Sequence, residues 1–236
     1  MYLKIKGLSK NWNGFSLKNI SLEIKEGAYF IFLGPCGAGK TLLLSTIAGL
    51  WQPDSGNIFI KEEDITNLAP EKRNIGYLFQ NNALFNHLSV KENIYYGLKY
   101  RKPDKDFVKS VLKFLDIDKA FLSRKDTINL SGGEARKVAL ARCMATRPRL
   151  LLLDEPLSSL DLLSHKNVME ALKALNKNLG VTILHVSHHV EAVRELAGET
   201  AVLADGSVKY KGSIDPIINN THSELIKKFW GKEQNV

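Results

Sequence analysis

Two stretches of the sequence combine residue types that handle phosphate groups and magnesium. The first, Gly34–Thr41, reads Gly-Pro-Cys-Gly-Ala-Gly-Lys-Thr and fits the pattern G-x-x-x-x-G-K-[ST]. Its glycines let several backbone N–H groups point at one phosphate group, and the helix expected next adds its positive end. Lys40 provides a charge for the β- and γ-phosphates, and the Thr41 hydroxyl is a ligand for Mg²⁺. The predicted triphosphate site consists of Gly34, Pro35, Cys36, Gly37, Ala38, Gly39, Lys40, Thr41 and Leu42.

The second stretch is the run Leu150–Leu153, followed directly by Asp154 and Glu155. Two charges after four leucines stand at the edge of a dry core, where carboxylates seldom occur without a partner. We expect Asp154 to hold Mg²⁺ and Glu155 to polarise the water that attacks the γ-phosphate. The pair therefore predicts hydrolysis of the bound triphosphate.

Buried strands and helices are expected to position these residues. Tyr29–Leu33 is short and wholly apolar, which indicates a buried strand that leads into the glycine-rich loop. A helix is expected over residues 40–50, ending at Gly49. Further buried strands are expected at Leu150–Leu153 and Val181–Val186, with a helix over about 162–178 between them. Alternating strands and helices predict an α/β fold with a mainly parallel sheet.

The remaining segments predict a single domain with two additions. Residues 1–32 alternate apolar and polar side chains around turn signals at Asn13-Gly14 and Glu26-Gly27, which indicates an N-terminal antiparallel β-subdomain. Residues 84–146 are rich in lysine and show helical spacing, so we expect a helical subdomain inserted into a core of 1–83 and 147–236. A short helical tail is expected over 213–236.

The composition limits the classes of function. Of 236 residues, 44% are hydrophobic and 25% are charged, as in ordinary globular proteins, and two cysteines imply no disulfide framework. No apolar run approaches the ~20 residues that span a bilayer, and Met1–Gly7 has no signal-peptide pattern. The net charge of +8 indicates a solvated basic surface or attraction to an anionic membrane face. Nucleic-acid binding is not expected, because no dense Lys/Arg block is interleaved with aromatic residues.

The stretch Leu130–Glu134, Leu-Ser-Gly-Gly-Glu, resembles the signature of ATP-binding-cassette (ABC) ATPases. The resemblance covers nearly the whole chain, with each motif in the family's order, and it implies the P-loop NTPase fold, bound ATP and Mg²⁺, and a head-to-tail homodimer. In this family the signature caps the nucleotide held by a second copy of the protein. It implies that role for Ser131, Gly132, Gly133 and Glu134, although Gln is commoner at the last position.

Four further positions match family motifs. The resemblance implies that Gln80 reaches Mg²⁺ and the lytic water, and that Asp161 lies in a loop crossing the dimer interface. It also implies that His188 is the switch histidine at the γ-phosphate and that Trp12 stacks on adenine. Two nearby histidines are assigned otherwise: His185 is expected in the core of its strand, and His189 at a solvated helix start.

Several kinds of ABC protein share these motifs. DNA-repair ATPases carry long coiled-coil insertions and translation factors carry two cassettes, neither of which fits this chain. An ATPase of a soluble iron–sulfur cluster assembly machine remains an alternative to a transporter subunit. The stretches Asn81–Ile94 and Leu157–Asp161 look like importer cassettes of the group that serves molybdate, tungstate, sulfate and polyamine uptake. Within that group, Ala69–Arg73 looks most like the molybdate/tungstate branch.

An importer cassette would have specific partners and a specific location. The resemblance implies two transmembrane permease subunits, an extracytoplasmic substrate-binding protein reached indirectly, and a peripheral position on the cytoplasmic face of the membrane. Leu84–Leu88 and Tyr95-Tyr96 are expected to form the surface on which a permease helix docks. Larger relatives carry a C-terminal regulatory domain, which is not expected here.

Overall fold

The structure, a computed structural model, describes residues 1–100, 104–188 and 190–213. The chain forms two compact units, Met1–Ala69 with His185–Val236, and Pro70–Leu184. The boundaries of these two units differ from those of the predicted helical insertion, residues 84–146. The predicted division into a core and a helical subdomain therefore stays a prediction. The helical tail predicted over 213–236 lies outside the described residues except for Ser213, and His189 also lies outside them.

An antiparallel sheet in the first unit confirms the predicted N-terminal β-subdomain. Its strands, in the order β2-β1-β4-β5, are β1 (Leu3–Trp12), β2 (Phe15–Ile24), β4 (Ser55–Ile60) and β5 (Glu63–Asp64). The β1–β2 hairpin turns at Asn13 and Gly14, whose φ angles of 44° and 79° are those that a two-residue hairpin loop requires. This turn places Trp12 at the tip of the hairpin.

A buried strand and a helix in the first unit hold the glycine-rich loop. Strand β3 (Tyr29–Leu33) is buried at every position and pairs in parallel with β9 (Glu199–Ala204), which pairs antiparallel with β10 (Ser207–Gly212). Including Tyr29–Phe32 in the antiparallel sheet was therefore wrong, because the backbone of β3 pairs in parallel with β9 instead. Helix α1 (Lys40–Ala48) follows the loop and ends at Gly49, as predicted. Helix α8 (Val190–Leu196) precedes β9.

The second unit contains most of the helices. In chain order it comprises α2 (Pro70–Arg73), β6 (Ile75–Leu78), α3 (Val90–Tyr95), a 3₁₀ helix (Tyr96–Tyr100), α4 (Lys105–Phe114), α5 (Lys119–Leu122), α6 (Gly132–Ala145), β7 (Leu150–Asp154) and α7 (Leu162–Leu179). Strands β6 and β7 pair in parallel, with Ile75 opposite Leu150 and Leu78 opposite Leu153. The chain passes from the second unit to the first within the buried strand β8 (Thr182–Ser187).

The parallel pairs, the helices between them and the antiparallel hairpin confirm the predicted α/β class. Within the described residues, every helix is too short or too polar to cross a membrane.

Candidate functional site

The glycine-rich loop of the first unit has a backbone conformation that glycine adopts most readily. Gly37 and Gly39 have φ angles of 80° and 97°, in the left-handed region that other residues rarely adopt. A Cβ atom at Gly39 would stand 2.6 Å from the Phe15 ring, and one at Gly34 would stand 2.3 Å from the carbonyl oxygen of Leu203. Packing and backbone conformation therefore both explain the glycines of the predicted phosphate loop.

Lys40, the first residue of α1, is folded onto this loop. Its ammonium group donates hydrogen bonds to the carbonyl oxygens of Gly34, at 2.7 Å, and Pro35, at 3.1 Å. The side chain is buried, whereas the neighbouring Cys36 and Thr41 are exposed. The arrangement places a cation inside the loop at the positive end of a helix, which is a favourable environment for an anionic phosphate.

Asp154, predicted to hold Mg²⁺, and Glu155, predicted to polarise the attacking water, lie at the end of β7 in the second unit. The four leucines of β7 are fully buried, Asp154 is 3% exposed and Glu155 is also buried. The Asp154 carboxylate lies 3.5 Å from the Tyr77 hydroxyl. Glu155 has a φ of 48°, and its carbonyl oxygen accepts hydrogen bonds from the backbone and hydroxyl of Ser158. Such a backbone costs ~1 kcal/mol or more for a non-glycine residue and is most often found at functional sites.

Gln80 follows β6 in the second unit and has an exposed side chain. Its carbonyl oxygen accepts a hydrogen bond of 3.1 Å from Arg136 of α6, and the same guanidinium group donates to Phe79 at 3.3 Å. Arg136 could not be singled out from the sequence, because an arginine in the lysine-rich stretch 84–146 is usually a solvated charge. Its burial and its hydrogen bond to the Gln80 carbonyl oxygen show that it is a structural partner of Gln80.

Ser131 and Glu134 close the first turn of α6 in a capping box. The Glu134 backbone donates to the Ser131 hydroxyl at 3.2 Å, and the Ser131 backbone donates to the Glu134 carboxylate at 2.8 Å. Arg124 also donates to this carboxylate, at 2.5 Å. Burial opposes ionisation, but the hydrogen bonds from the Ser131 backbone and Arg124 outweigh it and lower the pKa of Glu134. The glutamate at this position thus fixes the start of the helix.

The signature residues lie against the loop that contains Asp161. A Cβ atom at Gly133 would stand 2.5 Å from the Ser164 hydroxyl oxygen, so the two helix starts are in close contact. Asp161 caps α7 by accepting a hydrogen bond from the Ser164 backbone at 3.0 Å. Hydrogen bonds from Ser164 lower the pKa of Asp161. Next to this cap, Leu162 is 88% exposed and Leu163 is 69% exposed.

Trp12 packs against a second indole ring in the first unit. The ring centroids of Trp12 and Trp51 are 3.8 Å apart, with an angle of 51° between the planes. Trp12 remains 38% exposed, which leaves part of the ring available to a ligand. Sequence spacing could not reveal this neighbour, because Trp51 follows α1 and is remote along the chain.

His188 directly follows β8 and is half-buried. His185, by contrast, is fully buried within β8, and its Nδ1 lies 3.1 Å from the Tyr29 hydroxyl. The expectation that His185 belongs to the core is confirmed, and the role of His188 stays a prediction.

The predicted docking aromatics are half-buried in the second unit. Phe85 packs on Tyr96, with ring centroids 4.5 Å apart, and the Arg142 guanidinium lies 5.1 Å from the centre of the Phe85 ring. Tyr95 lines a separate surface groove together with His87, Ser89, Lys91, Glu92, Lys99 and Lys125. Phe85 therefore contributes to internal packing, while Tyr95 faces a basic groove.

Comparison with known proteins agrees with these features. Residues 17–158 match the family model described as ABC transporter. The molybdate/tungstate import ATP-binding protein WtpC of Thermococcus kodakarensis is 41% identical over 238 residues, covering 100% of this chain and 72% of the relative. WtpC of Methanocaldococcus jannaschii is 40% identical, covering 97% of this chain and 76% of the relative.

Solved structures give the same result. The dimeric structure of MJ0796, a bacterial ABC transporter cassette, superimposes with a TM-score of 0.79 at 30% identity, covering 90% of this chain and 98% of that one. The family match covers more than half of the chain, and full-length relatives exceed 30% identity. The chain therefore belongs to the ABC transporter family and is one of its ATP-hydrolysing cassettes.

Proposed function

We propose that this cassette is the ATP-hydrolysing subunit of an importer for molybdate or tungstate. The observation that carries the proposal is the 41% identity to WtpC over the whole chain. An iron–sulfur assembly ATPase is not favoured, because the compared full-length relatives are named as import proteins.

The phosphate loop and Trp12 bind ATP. The backbone of Gly34–Thr41 and the Lys40 ammonium group receive the phosphates, and Trp12 stacks on the adenine ring. The left-handed glycines and the ammonium group folded onto the loop support this assignment. When a triphosphate binds, Lys40 exchanges its bonds to Gly34 and Pro35 for bonds to phosphate oxygens.

Three residues carry out hydrolysis: Glu155, Gln80 and His188. Glu155 accepts a proton from the attacking water, Gln80 orients that water, and His188 donates to the γ-phosphate. Thr41, Gln80 and Asp154 offer hydroxyl, amide and carboxylate oxygens, the kind of ligands that Mg²⁺ prefers, so they fit this ion. The ion would neutralise charge on the phosphates.

A head-to-tail homodimer completes each nucleotide site. Ser131, Gly132, Gly133 and Glu134, together with Asp161, act on the ATP held by a second copy of this chain. The close contact between Gly133 and Ser164 supports a common surface for these residues, and exposed Leu162 and Leu163 extend it. Apolar side chains exposed to this degree favour a protein contact. The MJ0796 cassette, with which this chain superimposes, is dimeric.

Two transmembrane permease subunits receive the movement that the cassette makes as it binds and hydrolyses ATP. An extracytoplasmic substrate-binding protein delivers the anion. The cassette lies on the cytoplasmic face of the membrane, bound through the permease. The groove that contains Tyr95 supports a docking role, because tyrosine rings are enriched at protein interfaces.

Uptake in cells tests this function. A strain that lacks the chain should accumulate less tungstate and molybdate, measured by mass spectrometry of the metals, and the wild-type chain should restore uptake. The matched control is Glu155→Gln, which should fail to restore it at equal protein level. Normal metal uptake in the deletion strain, with loss of iron–sulfur enzyme activity, would contradict the importer and favour the alternative.

A further inference from the structure

Three side chains of α6 hold one segment of backbone, Tyr77–Ala83, which we name the Gln80 segment. The Cys143 thiol donates to the carbonyl oxygen of Tyr77 at 3.2 Å. Arg136 donates to Phe79 at 3.3 Å and to Gln80 at 3.1 Å. Arg142 donates to Asn82 at 2.7 Å and to Ala83 at 2.6 Å. Five carbonyl oxygens of this short segment are therefore bound by a single helix.

The Gln80 segment would not hold its conformation without such support. Asn82 and Ala83 have φ angles of 60° and 46°, two consecutive non-glycine residues in the left-handed region. Backbone of this kind persists where surrounding contacts determine it, and it is frequent in switch regions. The two bonds from Arg142 go to these same two residues. The position of the Gln80 segment therefore depends on α6.

Arg136 connects Gln80 to the helix that Ser131 caps, and it lies near the charge of Asp154. It stands on the helix whose N-cap is Ser131, and it is 3% exposed. Burial lowers the pKa of its guanidinium group, and the negative charge of Asp154 partly offsets this effect. Its Nε atom has no hydrogen-bond partner among the described residues. An arginine buried with incomplete hydrogen bonding is a poor source of stability, which favours a role in positioning.

We propose that Arg136 is a positioning residue that fixes the backbone of Gln80 to α6, so that displacement of Gln80 moves the end of the helix that carries Ser131. The Arg136 side chain is almost fully buried. It acts through Gln80, and the inference therefore rests on the proposed role of Gln80 in hydrolysis. A displacement of about 1 Å at a catalytic group can change a rate about a hundredfold, so the loss of this link should be measurable.

A double-mutant cycle in the full-length chain tests the link. Arg136→Met should lower kcat for ATP about tenfold or more while the Kd for ATP changes less than about twofold. In a Gln80→Ala background the same substitution should cause no further loss, because the residue through which Arg136 acts is gone. Additive losses in the double variant, or an effect on the Kd alone, would overturn the proposal.

Two conservative variants separate positioning from charge. Arg136→Lys keeps the positive charge near Asp154, and Arg136→Gln keeps a neutral donor for the carbonyl oxygens. A positioning role predicts that both variants recover part of the kcat lost in Arg136→Met. If the kcat of Arg136→Lys equals that of wild type and the kcat of Arg136→Gln equals that of Arg136→Met, charge alone matters and the proposal is wrong.

The neighbouring Lys137 provides the control for substitutions on α6. Its ammonium group lies 3.5 Å from the Asp116 carboxylate, away from the Gln80 segment, so Lys137→Met should leave kcat within about twofold. If Arg136→Met does not fold, judged by its thermal transition, the glutamine variant takes its place in the cycle. If Gln80→Ala itself hydrolyses ATP at the wild-type rate, the proposed role of Gln80 fails and this inference falls with it.

Discussion

Gly133 lies so close to Ser164 that a Cβ atom on the glycine would stand 2.5 Å from the serine hydroxyl oxygen. The starts of α6 and α7, which carry Ser131 and Asp161, therefore hold each other in place. Because both residues are proposed to act on the ATP of a second copy, this contact sets their relative position. Any side chain at Gly133 should disturb that position.

The first prediction is that Gly133→Ala destabilises the fold by about 1–3 kcal/mol, the usual cost of overpacking. The matched control is Gly132→Ala, where the added Cβ meets no atom closer than 3.6 Å. That variant should be neutral or slightly stabilising, since alanine is the better helix former. Thermal or chemical unfolding measures both. Adding Ser164→Gly should restore part of the loss, and equal stabilities for the two alanine variants would contradict the contact.

The second prediction concerns the catalytic carboxylate. Glu155→Gln preserves the size of a buried side chain but removes the proton acceptor, so ATP turnover should fall about a hundredfold or more while ATP still binds. Because hydrolysis no longer releases the partner, a dimer should accumulate with ATP and Mg²⁺ and be absent without them. Light scattering measures the mass. Turnover at the wild-type rate would assign the base elsewhere, and a monomer under both conditions would count against the dimer.

The third prediction concerns the two indole rings in contact, Trp12 and Trp51. Trp12→Ala should weaken ATP binding about two- to tenfold, because aromatic stacking contributes about 0.5–1.5 kcal/mol beyond burial. Stacking tolerates any purine, so GTP hydrolysis should be partly retained. Trp51 packs on Trp12 at 3.8 Å and should hold its ring, so Trp51→Ala should weaken binding less than Trp12→Ala does, and Trp51→Phe least.

Fluorescence gives a direct check of the same prediction. ATP should quench the emission of a Trp230→Phe variant, and the quenching should disappear when Trp12 is also replaced. Trp230 lies outside the described residues, and Trp51 must stay because it contacts Trp12. If quenching persists without Trp12, the adenine binds elsewhere.

The elements that carry the proposed chemistry could be predicted because they follow local rules. Tyr29–Leu33 and Leu150–Leu153 are apolar on both faces, and the Asn13-Gly14 turn needs positive φ angles. Strand β6 was not identified, since it has only four residues and contains Gly76. That glycine lies in a close contact with residues far along the chain, as a Cβ there would stand 3.1 Å from the Leu151 side chain.

The contacts between motifs could not be predicted, because they join residues far apart along the chain. Arg136 and Gln80 are separated by 56 positions, and Arg136 looks like a surface charge until its burial is known. The same holds for Trp12 and Trp51, where each ring alone fits a surface position. Motif spacing identifies which residue types are present, whereas tertiary packing decides which of them share a contact.

The fourth prediction separates the docking groove from internal packing. Tyr95→Ala should leave the ATPase activity and thermal stability of the isolated cassette nearly unchanged but weaken co-purification with the permease. Phe85→Ala should instead lower stability by about 1–3 kcal/mol, because its ring contacts Tyr96 and the Arg142 guanidinium group. If the Tyr95 variant assembles and transports normally, the permease binds another surface.

The last prediction uses the two cysteines as probes of the phosphate loop. Cys36 is exposed within this loop, whereas burial raises the pKa of Cys143 to about 11. At pH 8 only about one Cys143 thiol in a thousand is ionised, so an alkylating reagent should modify Cys36 first. ATP at about ten times its Kd should slow the reaction of Cys36 roughly tenfold, because the occupied loop excludes the reagent. The control is AMP at the same concentration, which lacks the β- and γ-phosphates that Lys40 binds and should protect far less. Peptide mass spectrometry measures both sites, and equal labelling with and without ATP would show that phosphates do not occupy Gly34–Thr41.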